Sequence, residues 1–301
     1  MISVIICTYN RSQYIYNVLK SIAEGTLSPE SYEIVVVNNN STDSTKEEIN
    51  RFVKDFPQIN LRQCFERHLG LSYARNKGIS EADGDILVYV DDDAVVNREY
   101  LETYNRFFEN HPDVFAAGGP IIPKYEGCQE PEWMTYHLRR LLTAYLYFGD
   151  KEKVFPGENY PGGGNAAYRK VVFEKVGLYN PSLGRKGESL NGGEEKDIFR
   201  KMTNLDMKFY YLPGATLYHI ITERRLNDAY FNRLTLSIGR SERMRTRTVS
   251  YGSYILRLFS EGVKWAGTIF LWFCYAITGR LICANKLVKF RMNVTRGLLQ
   301  S

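Results

Sequence analysis

Short apolar runs alternate with longer stretches of helical period along the first part of the chain. The runs lie at residues 4–7, 34–37, 59–61, 86–90 and 114–117, and the helical stretches at 13–23, 44–56, 71–82 and 98–110. Such alternation predicts an α/β fold: a mixed, mainly parallel, Rossmann-like sheet flanked by helices. Ser44-Thr45-Lys46-Glu47 has the spacing of a capping box, which predicts that the Ser44 hydroxyl opens the second helix. From residue 118 the pattern loosens into Pro- and Gly-rich segments such as 157–164, followed by an expected helix at 194–203 and an expected strand at 209–212. Beyond residue 240 the chain reads as basic helix with an aromatic, apolar stretch at 265–277, so the expected domains are 1–239 and 240–301.

A length of 301 residues with 44% hydrophobic and 14% aromatic side chains suffices for a packed core and excludes a disordered chain. The net charge of +5 is unevenly placed. Residues 240–301 hold 11 Lys/Arg against Glu242 and Glu261, a charge of +9, which leaves −4 on the rest. The tail therefore calls for an anionic surface. Nucleic acid is one reading, but no reader motif accompanies the arginines. An ordinary helical subdomain is another. An interfacial helix on anionic lipid accounts for both the charge and the aromatic stretch, flanked by Lys264 and Arg280. That stretch is shorter than the ~20 residues that span a bilayer. Five scattered cysteines without a C-x-x-C pair, and a chain that opens directly into a strand, fit a reducing cytosol. The expected location is cytoplasmic, peripheral at the inner face of the cell membrane.

Asp91-Asp92-Asp93 closes the apolar run at 86–90 and sets three carboxylates at the end of a buried strand. Carboxylates this close raise one another's pKa unless a cation neutralises them, and their hard oxygens suit Mg²⁺ or Mn²⁺ carrying a phosphorylated ligand. Taken alone, such a triplet also reads as a solvated acidic turn. Asn10 and the Asn38-Asn39-Asn40 cluster likewise lie just past strand ends, where ligands sit in open sheets. The loop Thr8-Tyr9-Asn10-Arg11-Ser12 lacks the glycines of a dinucleotide-binding turn, and no phosphate-binding G-x-x-x-x-G-K-[ST] loop occurs, so NAD chemistry and ATP hydrolysis are disfavoured. Gly162-Gly163-Gly164 reads either as a flexible turn or as a close backbone approach to a sugar or diphosphate, with Asn165 offering donor and acceptor. His219 reads as a core residue or as a ligand that tilts the metal towards Mn²⁺. His68, His111 and His137 are expected to be structural or on the surface.

In order along the chain come Cys7-Thr8-Tyr9-Asn10, Val36-Val37-Asn38-Asn39-Asn40-Ser41-Thr42-Asp43, Ala74-Arg75-Asn76 with Gly84-Asp85, the aspartate triplet, Gly163 to Arg169, and Gly193 to Ile198. Together, across roughly residues 1–225, they resemble the inverting family 2 glycosyltransferases with their GT-A fold. The resemblance implies a nucleoside diphosphate sugar as donor, uridine first among the nucleotides. It implies that Thr8 and Arg75 hold the nucleotide base, that Asn38 and Asn39 stand where an acidic base contact is usual, and that Asp91 and Asp93, with His219, hold the metal and diphosphate. Tyr9, Asn10, Asp92, Gly164 and Asn165 complete the implied donor-binding set. An asparagine carbonyl accepts from uracil N3–H more weakly than a carboxylate, which leaves the nucleotide open. Glu195 matches the general base, with Glu194 and Asp197 as alternatives. The implied acceptor is a hydroxyl of a glycan or lipid-linked sugar, as in bacterial surface polysaccharide synthesis. A metal-dependent nucleotidyltransferase and a non-catalytic carbohydrate-binding protein are the rival readings.

Overall fold

The apolar run expected at 4–7 forms β1 (Ile2–Thr8), whose residues are buried on both faces. It is followed by α1 (Ser12–Ala23), β2 (Tyr32–Asn38), α2 (Thr45–Asp55), β3 (Leu61–Phe65), α3 (Leu71–Glu81), β4 (Ile86–Val90), β5 (Ala94–Val96) and α4 (Tyr100–Asn110). Then come β6 (Ala116–Gly118), β7 (Ile121–Tyr125), α5 (Tyr136–Thr143), β8 (Lys153–Val154), β9 (Asn165–Arg169), α6 (Val171–Val176), α7 (Glu194–Thr203), β10 (Phe209–Tyr211) and β11 (Leu217–Ile221). The helical remainder is α8 (Glu223–Leu226), α9 (Asp228–Val249), α10 (Tyr251–Ile277) and α11 (Leu281–Leu299). This computed structural model describes residues 1–187, 190 and 192–300.

The chain divides into two units, the first made of residues 1–124, 144–181 and 194–220. Its main sheet has the order β3-β2-β1-β4-β9-β6-β10-β8, and a small sheet has the order β5-β11-β7. β3, β2, β1 and β4 pair in parallel, as the alternation predicts. β9 then inserts antiparallel to both β4 and β6. Successive side chains on a strand point to opposite faces, and both faces are filled. Val4, Ile6, Val36 and Val88 pack with α1, α2 and α4 on one side, while Ile5, Val35, Leu87 and Tyr89 pack with α3, α6 and α7 on the other. β3 begins at Leu61 rather than Ile59, which instead packs into the core.

The expected capping box does not form. The Ser44 hydroxyl makes no cap bond, and Asp43 Oδ1 accepts from Thr45 N at 3.1 Å. Asp43 Oδ2 accepts from Ser12 N, and Thr45 Oγ1 accepts from Arg11 N, both at 3.1 Å. Asn10 N in turn donates to Ser41 Oγ and Asn10 Oδ1 accepts from Thr42 N. The loops leaving β1 and β2 are thus sewn together. Asn10 and Asn40 have φ of 53° and 67°, a left-handed conformation that asparagine tolerates better than most residues.

The second unit comprises residues 125–143, 182–193 and 221–301. α9 runs unbroken through position 240. It crosses α11 where Gly239 faces the Val294 carbonyl and Gly297 faces the Leu236 carbonyl, each so closely that an added Cβ would lie 2.2 Å from the oxygen. Phe231, Leu234, Leu287, Met134 and Leu138 form its core. Among the described residues no helix is long and apolar enough to cross a membrane. All five cysteines are free thiols.

Candidate active site

Three neighbouring strands deliver the site, all within the first unit. β1 ends in Thr8 and leads to Arg11, β4 ends in the aspartate triplet, and β9 is entered through Gly162-Gly163-Gly164. Arg11 Nε lies 3.6 Å from Asp92 Oδ1 and its Nη2 lies 3.6 Å from Asp93 Oδ2. His219 on β11 pairs with Ala94 in the small sheet, which sets its Nε2 3.4 Å from Asp93 Oδ1. Burial pushes the Asp92 carboxyl up to about 7; Arg11 and Thr8 work against that rise, while Asp93 and Asp91 add to it. The solvated-turn reading does not survive this burial and crowding. Burial pushes the Cys7 thiol up to about 12, by more than nearby Arg75 lowers it.

The two glycines before β9 press against two different carboxylates. An added Cβ on Gly164 would lie 2.1 Å from Asp91 Oδ2, and one on Gly163 would lie 1.9 Å from Glu195 Oε1. Adjacent Cα atoms are about 3.8 Å apart, so Asp91 and Glu195 flank a single short loop. Here glycine is required for close approach, and the flexible-turn reading is set aside.

Glu195 opens α7 beside Glu194, and Arg75 on α3 clamps both. Arg75 Nη1 lies 2.8 Å from Glu195 Oε1 and 2.9 Å from Glu194 Oε1. Burial raises the Glu195 carboxyl, but the Arg75 guanidinium and the backbone N–H hydrogen bonding outweigh it and hold the group below the usual carboxylate range. The Glu195 side chain keeps 21% exposure against 3% for Glu194. Glu194 is therefore committed to the arginine, whereas Glu195 reaches the crevice. Asp197, the other candidate base, bridges Arg200 at 3.3 Å and Lys201 at 2.9 Å on its own helix.

Several other expected site residues have protein partners of their own. Arg75, expected to hold the nucleotide base, is 3% exposed and occupied by the acid pair and the rings of Tyr89 and Tyr179. Thr8 is likewise buried, its hydroxyl facing Asp92. Asn39 donates to the Glu66 and His68 carbonyls and accepts from Gly70 N, so it braces the entry to α3. Asn38 accepts from Ser41 N and, among the described residues, leaves its NH₂ without a partner. Tyr9 is exposed at the end of β1. Gly84 and Asp85 lie at the opposite end of β4, where an added Cβ on Gly84 would meet Met1 O and Ser3.

Asn165, expected to touch the donor, is fully buried with every polar atom engaged. Its Oδ1 accepts from Tyr100 and Tyr104 hydroxyls, each at 2.7 Å, and its Nδ2 donates to Pro120 O and Ala215 O. It is the post that anchors β9. Asn165→Ala is expected to cost about 3 kcal/mol in urea unfolding, because orphaning even one buried partner costs about 1–3 kcal/mol. Arg11, missed as a site residue, had one signal in the sequence: a cation directly after β1, opposite the acidic triplet.

The family model described as glycosyl transferase family 2 matches residues 3–177. The chain belongs to this family. Among curated relatives of this family member, the glucosyl-dolichyl phosphate glucuronosyltransferase of Haloferax volcanii is 31% identical over 196 residues, 62% of this chain and 58% of that one. The match thus spans under two thirds of that relative's length. A dolichyl N-acetyl-α-D-glucosaminyl phosphate 3-β-D-2,3-diacetamido-2,3-dideoxy-β-D-glucuronosyltransferase of Methanococcus voltae is 24% identical over 291 residues, 93% of this chain and 83% of that one. The mannosyltransferase PcManGT of Pyrobaculum calidifontis, solved with GDP-Man and Mn²⁺, superposes with a TM-score of 0.60 at 17% identity, covering 97% of this chain and 86% of that one. This glycosyltransferase has the GT-A fold that its motifs imply.

Proposed function

We propose that this glycosyltransferase moves a sugar from a nucleoside diphosphate donor to a hydroxyl of a lipid-linked or glycan acceptor, with inversion at the anomeric carbon. The observation that carries the reading is the glycine pair, which sets the ionised Glu195 and the buried acidic corner on either side of one loop. Glu195 takes the acceptor proton as its oxygen attacks, and the bond to the diphosphate breaks in the same displacement.

The acidic corner suits a divalent cation: hard oxygens of half-buried Asp91 and buried Asp93, an imidazole from His219, and the Asp92 carboxyl raised chiefly by burial. Among the described residues no three such side chains form a ready-made ligand set, and a cation held by these residues would take further oxygens from the donor diphosphate. A cation bound there neutralises charge on the departing diphosphate. Arg11 adds a second positive charge, and Asn38 offers its NH₂ to a carbonyl of the base, which both uracil and guanine possess. A uridine diphosphate sugar remains the first donor to try.

The mannosyltransferase solved with GDP-Man and Mn²⁺ and the two dolichyl phosphate enzymes support a nucleotide-sugar donor, a divalent ion and a lipid-linked acceptor. The basic helical segment holds the protein at the anionic inner face of a membrane, where such acceptors lie. Transfer from a uridine or guanosine diphosphate sugar is expected to stop on chelation and to return with Mn²⁺, giving a product whose anomeric configuration, read by NMR, is opposite to the donor's. Transfer unaffected by chelation would remove the metal from the reading, and retained configuration would remove single displacement.

A further inference from the structure

Arg240, Arg243 and Arg247 occupy one face of α9, since spacings of three and seven residues return to nearly the same side of a helix. With Met244, Thr248 and Gln300 they line an open groove of about 760 Å³ within the helical unit. Among the described residues the groove's arginines have no acidic partner. Between residue 240 and the end of α11 the acids are Glu242 and Glu261, and both are already taken. Glu242 pairs with Arg245 at 3.0 Å and Arg257 at 3.2 Å, and Glu261 pairs with Arg257 at 2.8 Å and Arg291 at 3.0 Å. Arg243 Nη1 donates to the Gln300 carbonyl, and the Arg247 guanidinium lies 4.8 Å from the centre of the Tyr254 ring. Neither contact cancels charge. Among the described residues, no carboxylate lies within ion-pair distance of these three arginines.

Guanidinium groups bind phosphate oxygens in a bidentate fork. One apolar side chain, the exposed Met244, lines the groove, and Val249 on the same helix and Tyr251, Leu256 and Phe259 on α10 also stand exposed. A cationic groove without acidic partners among the described residues, on a helical unit that also exposes apolar side chains, matches an anionic amphiphile. A soluble anion would leave these exposed apolar side chains unused, and the one ring beside the arginines, Tyr254, is buried and covered by Arg247, so it offers no free face to a base.

We propose that the groove formed by Arg240, Arg243 and Arg247 binds the phosphate headgroup of an anionic membrane lipid. This deepens the membrane part of the proposed function and stands apart from the transfer chemistry. The test is vesicle co-sedimentation of the full chain, with phosphatidylcholine alone and with phosphatidylglycerol added, and with inorganic phosphate and a short RNA as separate ligands. The wild type is expected to sediment only with the anionic vesicles. The triple variant Arg240→Gln/Arg243→Gln/Arg247→Gln is expected to bind them roughly a hundred-fold more weakly, from about 1 kcal/mol per basic residue near an anionic surface. Arg240→Gln/Arg247→Gln, which spares the Gln300 contact, should lose roughly ten-fold or more on the same basis. A charge-matched control, Lys46→Gln/Lys54→Gln/Lys151→Gln on exposed positions of the first unit, should bind as wild type does. Both groove variants retaining wild-type binding, or the control falling equally, would overturn the groove while leaving membrane docking standing. Binding of inorganic phosphate or RNA without vesicle binding would overturn the lipid assignment and the docking together. In every case sugar transfer to a soluble acceptor reports separately on the active site.

Discussion

Glu195→Gln is expected to reduce turnover by roughly 10²–10⁴, the range typical for loss of a general base, while donor binding persists. Glutamine keeps the size and the contact with Gly163 but cannot accept a proton. Its clamp to Arg75 changes from an ion pair to a neutral hydrogen bond, so the comparison needs a control. Asp197→Asn provides one, because that carboxylate is spent on Arg200 and Lys201 and its loss should leave turnover close to wild type. The Arg75 clamp also sets the pH profile. Because the guanidinium holds Glu195 below the ordinary carboxylate range, the acid limb of turnover should fall below the usual Glu value of about 4.3. Near-normal transfer by Glu195→Gln, measured with saturating donor, would move the base elsewhere.

Arg75→Met is expected to destabilise the protein by roughly 3–5 kcal/mol at neutral pH, the cost of leaving buried charges without their partner. The sign with pH follows from the carboxylates. In the wild type Glu195 titrates below its unfolded value, so its contribution is present above that value and is lost as pH falls through the folded one. Without the guanidinium, the burial that raises Glu195 is opposed only by its remaining hydrogen bonds, so the penalty is greatest near neutral pH and shrinks as the carboxyl takes up a proton. Urea unfolding from about pH 7 down to about pH 4 reads this directly. A variant equally destabilised at both ends, or not destabilised, would show that the acid pair does not depend on Arg75.

The parallel half of the sheet and the acidic corner are legible because β1, β2 and β4 are continuous β-branched runs whose ends carry polar clusters. β9 is not legible, since Asn165-Ala166-Ala167-Tyr168-Arg169 has neither the alternation nor the β-branched content of a strand. It becomes one through pairing with β4 and β6 and through the four hydrogen bonds of Asn165. Arg75 and Asn39 show a second limit. Each is a polar residue in a motif that implies ligand contact, and only the partners reached across the fold, 119 residues away for Arg75 with Glu194, reveal that each is holding protein. The Asp43 cap shows a third: which of several adjacent acceptors turns inward depends on the loop from β1 that it also secures.

The antiparallel entry of β9 beside β4 has one more consequence. Strands in a sheet lie about 4.8 Å apart, so segments separated by some seventy residues of chain, the Asp91 turn and the Gly164 turn, are fastened to each other by the Asp91 N–H to Gly164 carbonyl bond and by the ladder behind it. The reactive corner therefore inherits the stiffness of the middle of the sheet. Whatever yielding is needed to admit one substrate and expel another must come from the connecting loops, with the carboxylates acting as the fixed anvil against which they move.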